Sequence, residues 1–286
     1  MFQHRKYVLF AAITLLFIQC CTAGNITHLI VPRWVRNGTE DRVLLDCQYD
    51  YSLNEEKFVL KWYFNNDRQA AYQWIPNLNS RSFSNQFKPF ADWEHYLKDA
   101  DKFNKYRQVI LKRPTTEFTG EYKCHVTSKQ LTDEKTAYMT VYAPARHIKF
   151  NYNIQQADKT VNISCEVDGV FPKPEVELFY LTQDETETKE LDIDDEFFDR
   201  TENSYRIGVS SLISLSELDK EKDSDFTCIV TIDPDVYQEI RRITFHPERE
   251  INAIGKLEGG NNSSSSTITP SFYIMLAIFI ISLIIC

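Results

Sequence analysis

The sequence has few glycines and no arrangement of residues that would support catalysis. Only eight glycines occur in 286 residues, and none forms a Gly-rich phosphate loop or a Gly-x-Ser-x-Gly nucleophile turn. The six histidines are scattered, and no two have the helical spacing of a metal site. These absences predict that the protein is not an enzyme and has no cofactor, no metal and no small-molecule substrate.

A surplus of basic residues is also absent. The chain has 32 Lys and Arg against 41 Asp and Glu, a net charge of −9. Because a nucleic-acid-binding protein needs a basic face, we expect no nucleic-acid partner. The densely acidic run QDETETKELDIDDEFFDRTE lacks the regular carboxylate spacing of a calcium loop, so it is better explained as a solvated strand and loop.

The amino-terminal residues have the pattern of a secretory signal peptide. Arg5 and Lys6 precede an apolar run of 12 residues, and Cys21-Thr22-Ala23 supplies small residues for cleavage. The run is too short to be an uncleaved membrane helix. We therefore expect residues 1–23 to be removed and the mature protein to be extracellular.

The carboxy-terminal residues combine small residues, a polar spacer and an apolar tail. As a helix the 15-residue tail 272–286 would span roughly 22 Å, short of the about 30 Å hydrocarbon core. The combination predicts a glycosylphosphatidylinositol (GPI) attachment signal over 263–286, preceded by a stalk at 248–262. Asn262 is the predicted attachment residue, with Gly260, Asn261 and Ser263 as alternatives. A short tail helix and a soluble secreted form are the competing interpretations.

Four of the seven cysteines lie between the two predicted processing segments. They are Cys47, Cys124, Cys165 and Cys228. An even number of cysteines in an oxidising compartment predicts disulfides. Four cysteines allow three connectivities, and their spacing alone does not select one.

Asn-x-Ser/Thr triplets mark candidate glycosylation sites. Three lie within the predicted mature chain, at Asn25, Asn37 and Asn162. Two more, at Asn261 and Asn262, overlap the predicted cleavage region. In a secreted protein the first three are expected to be available to carry sugar.

Residues 24–143 alternate between apolar and polar residues as short strands do. RVLLDCQY, FVLKWYF, GEYKCHV and TAYMTVY each place apolar residues on one side. Trp62 follows Cys47 by 15 residues, and Tyr122 precedes Cys124 by two. This order resembles a variable-type immunoglobulin domain. The resemblance implies an all-β sandwich with Trp62 and Tyr122 in its core and a Cys47–Cys124 disulfide, although Phe118 replaces the family's usual Asp.

One segment of this first domain departs from strand periodicity. DWEHYLKDADKF, residues 92–103, spaces its apolar residues as a helix would. We therefore predict a short helix there. Its apolar stripe is expected to cover the sandwich edge, with a binding surface as the alternative.

Residues 144–247 show a second, shorter strand pattern. VNISCEV and SDFTCIV alternate around Cys165 and Cys228, which are 63 residues apart. The segment resembles a constant-type immunoglobulin domain, which implies a Cys165–Cys228 disulfide. It departs from the family where Leu178 stands near the expected core Trp and where Phe226 replaces the corner Tyr.

The strand pattern of the first domain predicts a binding face. If Trp62 and Cys124 point inward, their neighbours on the same strands point outward. Tyr and Trp are enriched at protein interfaces. The predicted partner-binding residues are Tyr63, Tyr72, Trp74, Lys123 and His125. The alternative is that Tyr72 and Trp74 fill the rim of the sandwich.

The stretch LKWYFNNDRQAAYQWIP is similar to the same region of the insect beaten path family. Lys61-Trp62-Tyr63 and the aromatic run ending in Pro76 carry the resemblance. It implies a secreted or membrane-attached protein that binds the Side (sidestep) family of cell-surface immunoglobulin proteins heterophilically in axon guidance. Gln73 stands where that family usually has a basic residue. Homophilic adhesion and a soluble secreted ligand are the alternatives.

Overall fold

The regular secondary structure that the computed structural model describes consists of β-strands, nearly all in antiparallel pairs, and two short 3-10 helices at Pro76–Leu78 and Thr116–Phe118, in agreement with the alternating sequence. The described residues are 25–52, 54–129, 132–182, 188–201, 203–218 and 222–247. The seventeen strands are β1 (Ile26–Ile30), β2 (Trp34–Arg36), β3 (Val43–Tyr49), β4 (Val59–Phe64), β5 (Tyr72–Ile75), β6 (Ser80–Phe83), β7 (Gln108–Leu111), β8 (Gly120–Thr127), β9 (Thr132–Tyr142), β10 (His147–Gln155), β11 (Thr160–Val170), β12 (Glu175–Thr182), β13 (Lys189–Glu190), β14 (Asp195–Arg200), β15 (Tyr205–Ser214), β16 (Ser224–Asp233) and β17 (Tyr237–Phe245).

The first nine strands form a sandwich of two sheets. One sheet has the order β1-β3-β7, and the other has the order β2-β9-β8-β4-β5-β6. The Cys47–Cys124 disulfide joins β3 to β8 across the core. The two extra strands β5 and β6 at the edge of the larger sheet are the additions that define a variable-type immunoglobulin domain. This assignment was predicted from the sequence and is confirmed.

The core of the first sandwich is rich in aromatic residues. Trp62 lies opposite Cys124 in the β4–β8 pair and is 1% exposed. The Tyr122 hydroxyl donates a hydrogen bond of 2.8 Å to the Phe118 carbonyl. Phe118 is itself buried, with Phe87 and Phe90 packed edge-on against its ring. Aromatic packing therefore occupies the position where the family usually places a charged Asp.

The predicted helix at 92–103 is wrong, because this segment forms successive turns. Asp99 has a left-handed φ of 58°, which a right-handed helix does not accommodate. The Asp101 carboxylate accepts the backbone N–H groups of Phe103 at 2.7 Å and Asn104 at 3.2 Å. Such side-chain bonds compete with the helix for backbone donors. Phe103 still reaches the core, where it is 1% exposed.

The segment that leads into these turns lies beside β7, along the edge where a further strand could pair with it. A single isolated bridge joins Ala91 to Leu111. On either side of it, Asp92 N–H donates to Ile110 at 2.9 Å and Lys112 N–H donates to Phe90 at 2.7 Å. The edge of β7 is therefore covered by irregular backbone, which removes an unpaired strand edge.

The remaining strands form a second sandwich with its own core. Its sheets have the orders β10-β11-β15-β14 and β13-β12-β16-β17. The Cys165–Cys228 disulfide joins β11 to β16. Apart from the two-residue β13, this is the strand arrangement of a constant-type immunoglobulin domain, as predicted. Leu178 lies opposite Cys228 and is fully buried, so it occupies the position that Trp62 holds in the first sandwich.

Several predicted segments lie outside the described residues. These are the signal peptide at 1–23, the stalk at 248–262, and the GPI signal at 263–286 with Asn262. In the part of the chain that is described, no helix has the length and apolar character needed to cross a membrane.

Candidate protein-binding face

The outer surface of the six-stranded sheet carries three of the five predicted binding residues. Tyr63 comes from β4, and Lys123 and His125 come from β8. The register places Tyr63 opposite Lys123, and Lys61 opposite His125. All four side chains alternate with buried neighbours, so they point away from the core and are partly exposed. Strand pairing thus brings a compact group together at the centre of the sheet.

Contacts between neighbours hold this group in place. The Lys123 ammonium lies 5.6 Å from the centre of the Tyr63 ring, within the range of a cation–π interaction. The same Nζ atom is 3.7 Å from Glu134 Oε2. Tyr63 also packs edge-on against His125, with ring centres 6.2 Å apart. Partly ordered aromatic side chains lose little entropy on binding, so the group is suited to act as an anchor.

The face also has an unmet hydrogen-bonding requirement. His125 Nδ1 is buried and has no hydrogen-bond partner among the described residues. Lys61, its cross-strand neighbour, forms no ion pair within the described part of the chain. A partner that placed a carboxylate beside the Lys61 ammonium would pair a charge that the folded chain leaves open.

The prediction that Tyr72 and Trp74 belong to the exposed face is wrong. Each is 1% exposed and part of the core of the first sandwich. The register pairs Tyr72 with Trp62 and Trp74 with Leu60, and cross-strand partners point to the same side of a sheet. The Tyr72 hydroxyl donates to the Tyr106 carbonyl at 2.7 Å. Both aromatic residues are therefore structural.

The register that buries those two residues exposes others. Gln73 and Ile75 alternate with them on β5 and point outward, where Gln73 pairs with Lys61. Tyr138 on β9 is 58% exposed and lies opposite Glu121. No sequence signal distinguishes the two faces of YQWI, because both sets of alternate residues contain an apolar side chain. Only the pairing with β4 decides between them.

The three predicted glycosylation asparagines lie in two different settings. Asn25 and Asn37 are exposed in the first sandwich, before β1 and after β2 respectively. Asn162 is half-buried near the start of β11. No group of His, Cys, Asp or Glu that could hold a metal ion occurs among the described residues.

The two domains differ in net charge. Residues 25–142 contain 17 basic and 15 acidic residues, whereas residues 143–247 contain 11 basic and 23 acidic residues. The candidate face therefore belongs to the nearly neutral domain. The second domain carries the net negative charge of the chain, which favours solubility and disfavours contact with anionic surfaces.

Comparisons with known proteins define the class of fold. The chain is similar in structure to bovine butyrophilin, with a TM-score of 0.57, 13% identity, and coverage of 78% of this chain and 98% of that one. The extracellular portion of mouse CD200RLa gives a TM-score of 0.46 and 11% identity, covering 76% of this chain and 99% of that one. No protein-family model and no curated protein sequence matches. The likeness to butyrophilin, together with the two disulfide-linked sandwiches, establishes a fold of two tandem immunoglobulin-like domains.

Proposed function

We propose that this chain is an extracellular recognition protein whose first domain binds another immunoglobulin-family protein. The observation that carries the proposal is the Tyr63–Lys123–His125 group, which is ordered by mutual contacts yet partly open to solvent at the centre of a sheet. A few residues, most often Trp, Tyr and Arg, supply most of the binding energy at protein interfaces, and Tyr63 is of that type. Binding, rather than catalysis, is the proposed activity.

The proposed partner is a cell-surface protein of the Side family, bound heterophilically in neuronal guidance. This narrower proposal is supported by the resemblance of Lys61-Trp62-Tyr63 and the following aromatic run to the beaten path family. Lys61 and Tyr63 lie on the candidate face, whereas Trp62 belongs to the core. Of the residues that carry the resemblance, only Lys61 and Tyr63 are available to a partner, because Trp62, Tyr72, Trp74 and Pro76 are buried.

We also propose attachment to the outer face of the plasma membrane by a GPI anchor at Asn262, with glycosylation at Asn25, Asn37 and Asn162. The support is the sequence pattern of the carboxy-terminal residues together with the Asn-x-Ser/Thr triplets. Phosphatidylinositol-specific phospholipase should release the protein from expressing cells. Protein that resists release and retains a tag placed after Cys286 would contradict the anchor.

The binding proposal is tested with the soluble region 25–247 against a panel of extracellular immunoglobulin proteins that includes the Side family and the chain itself. Tyr63→Ala should weaken binding about thirtyfold, the effect of losing about 2 kcal/mol at an interface anchor. Phe198→Ala is the matched control, since Phe198 is 57% exposed but lies in the second domain. Binding that survives Tyr63→Ala would place the interface elsewhere, and self-binding alone would indicate homophilic adhesion.

A further inference from the structure

A polar hollow of about 180 Å³ lies on the outer face of the β10-β11-β15-β14 sheet in the second domain. Its floor is formed by alternate residues of the four strands. They include Asn151, Asn162, Ser164, Ser210 and Asp195. The Ser164 hydroxyl donates to Asn151 Oδ1 at 2.6 Å, so part of this floor is ordered by its own hydrogen bonds. The hollow is distant in sequence from the candidate binding face.

Asn162 stands at one end of the hollow and begins the triplet Asn-Ile-Ser. Its Oδ1 atom is buried and lacks a hydrogen-bond partner among the described residues. The protein shields this oxygen from solvent, and an N-linked sugar is carried by the other atom of the side-chain amide, Nδ2.

Apolar side chains interrupt the polar face on either side of the floor. Leu212 lies directly opposite Asn162 and is 47% exposed. Phe197 lies opposite Gly208 at the other end of the hollow and is 43% exposed. The Phe197 ring lies over Gly208, because a Cβ atom added there would approach the ring carbon Cε1 to 2.1 Å. The glycine therefore lets the aromatic ring lie flat along the sheet.

The spacing of these residues sets the length of a ligand. Asn162 and Phe197 are two side-chain rows apart along the strands, since the rows run through Leu212, Ser210 and Gly208. Two rows correspond to four residues, or about 13 Å of strand. A ligand that started at Asn162 and reached Phe197 would thus be extended and alternately polar and apolar, as a short oligosaccharide is.

We propose that the hollow holds the chain's own N-linked glycan, attached at Asn162 and lying across Ser164 and Ser210 toward Phe197. The C–H faces of the sugars would cover Leu212 and Phe197, and their hydroxyl and N-acetyl groups would bond to the polar floor. The two buried disulfides support glycosylation, because they form in the oxidising compartment of secreted proteins. The inference rests on the glycosylation proposed above for Asn162 and is independent of the partner proposed for the first domain.

Asn162→Gln in secreted full-length protein tests the attachment. Loss of one glycan by intact-mass measurement is expected, as is a fall of about 4 °C in the unfolding midpoint of the second domain. Asn25→Gln and Asn37→Gln are matched controls that should remove mass without lowering that midpoint, since both residues are exposed in the first domain. Ser164→Ala removes the triplet without changing Asn162 and should reproduce the loss of mass.

Phe197→Ala then tests where the sugar lies. It should lower the midpoint more in glycosylated protein than in Asn162→Gln protein, where only the packing of the ring on Gly208 and Arg206 is lost. Unchanged mass in both triplet variants would overturn the attachment. Equal effects of Phe197→Ala with and without the glycan would overturn the proposed position of the sugar.

Discussion

The two sandwiches place different residues against the same buried disulfide. Trp62 lies opposite Cys124 in the first domain, and Leu178 lies opposite Cys228 in the second. Both side chains are at most 1% exposed. The position therefore requires complete burial of an apolar side chain and does not require an indole ring.

The volume difference is accommodated by the rest of each core. The first sandwich has a six-stranded sheet, and the core that contains its disulfide includes mutually packed rings such as Tyr49, Phe58 and Phe103. The second sandwich has two four-stranded sheets, and the core that contains its disulfide is mainly Val, Ile and Leu. All four tryptophans of the chain precede residue 94, so tryptophan fluorescence reports only on the first domain.

The largest expected effect comes from truncating the two equivalent core residues. Trp62→Ala should destabilise the first domain by about 3–5 kcal/mol, and Leu178→Ala should destabilise the second by about 2–5 kcal/mol. Each loss is a large fraction of the stability of a domain. Calorimetry with tryptophan fluorescence would assign the two transitions. A Trp62→Ala variant that secretes normally would show that the first core tolerates a cavity at this position.

The next largest effect is expected at alkaline pH, which should destabilise the first domain more than the second. Burial raises the pKa of Tyr49, Tyr72 and Tyr122 well above the usual 10.0. The unfolded chain therefore ionises these groups above pH 10 while the folded domain does not, so stability is full below pH 10 and falls above it. Three tyrosines would cost on the order of 4 kcal/mol by pH 11.

The second domain provides the comparison for this pH dependence. Burial raises the pKa of Tyr237 as well, but this residue is only partly buried. Calorimetry at pH 9, 10 and 11 should therefore show the transition of the first domain falling faster. Parallel decline of the two transitions would mean that the buried tyrosines are not responsible.

The sequence predicts the parts of this molecule that depend on period and spacing. The Cys47–Trp62–Tyr122–Cys124 order identifies the first sandwich, because those residues meet only when strands pair as in that fold. The register between neighbouring strands is harder to predict from the sequence. A shift of one residue moves every side chain of a strand to the other face, and the predicted exposure of Tyr72 and Trp74 is wrong for this reason. The turns at 92–103 are not predictable from apolar spacing, because they depend on local Asp side-chain bonds.

A smaller effect is expected at the residue two positions before the second cysteine of each domain. Tyr122→Phe removes the hydrogen bond to the buried Phe118 carbonyl and should cost about 1–3 kcal/mol. The second domain already has Phe226 at that position, fully buried. Tyr122→Phe should also reduce the alkaline sensitivity of the first domain by about a third, because one of three buried tyrosines is lost. A variant with unchanged stability would show that the first domain, like the second, does not need a hydroxyl at this position.

The smallest expected effect concerns Asp92, whose ion pairs connect the turns at 92–103 to the rest of the first domain. Asp92 bonds to Arg42 and lies 3.2 Å from Lys112 Nζ. Burial acts to raise the pKa of Asp92, but bonds to Lys112, to the Glu94 backbone N–H and attraction to Arg42 outweigh it and lower the pKa.

Since the folded pKa of Asp92 is lowered, its contribution is present above the unfolded pKa and is lost as pH falls through the folded value. Asp92→Asn should therefore cost less than about 1 kcal/mol at pH 7, the scale of surface pairs, and nothing in strong acid. Glu196→Gln is the matched control in the second domain, where Lys173 and Glu196 are each nearly half exposed at 3.1 Å. Asp92 is far less exposed, so its substitution should move the first transition while the control leaves the second unchanged. Equal, salt-independent effects of the two variants would show that neither pair acts through its charge.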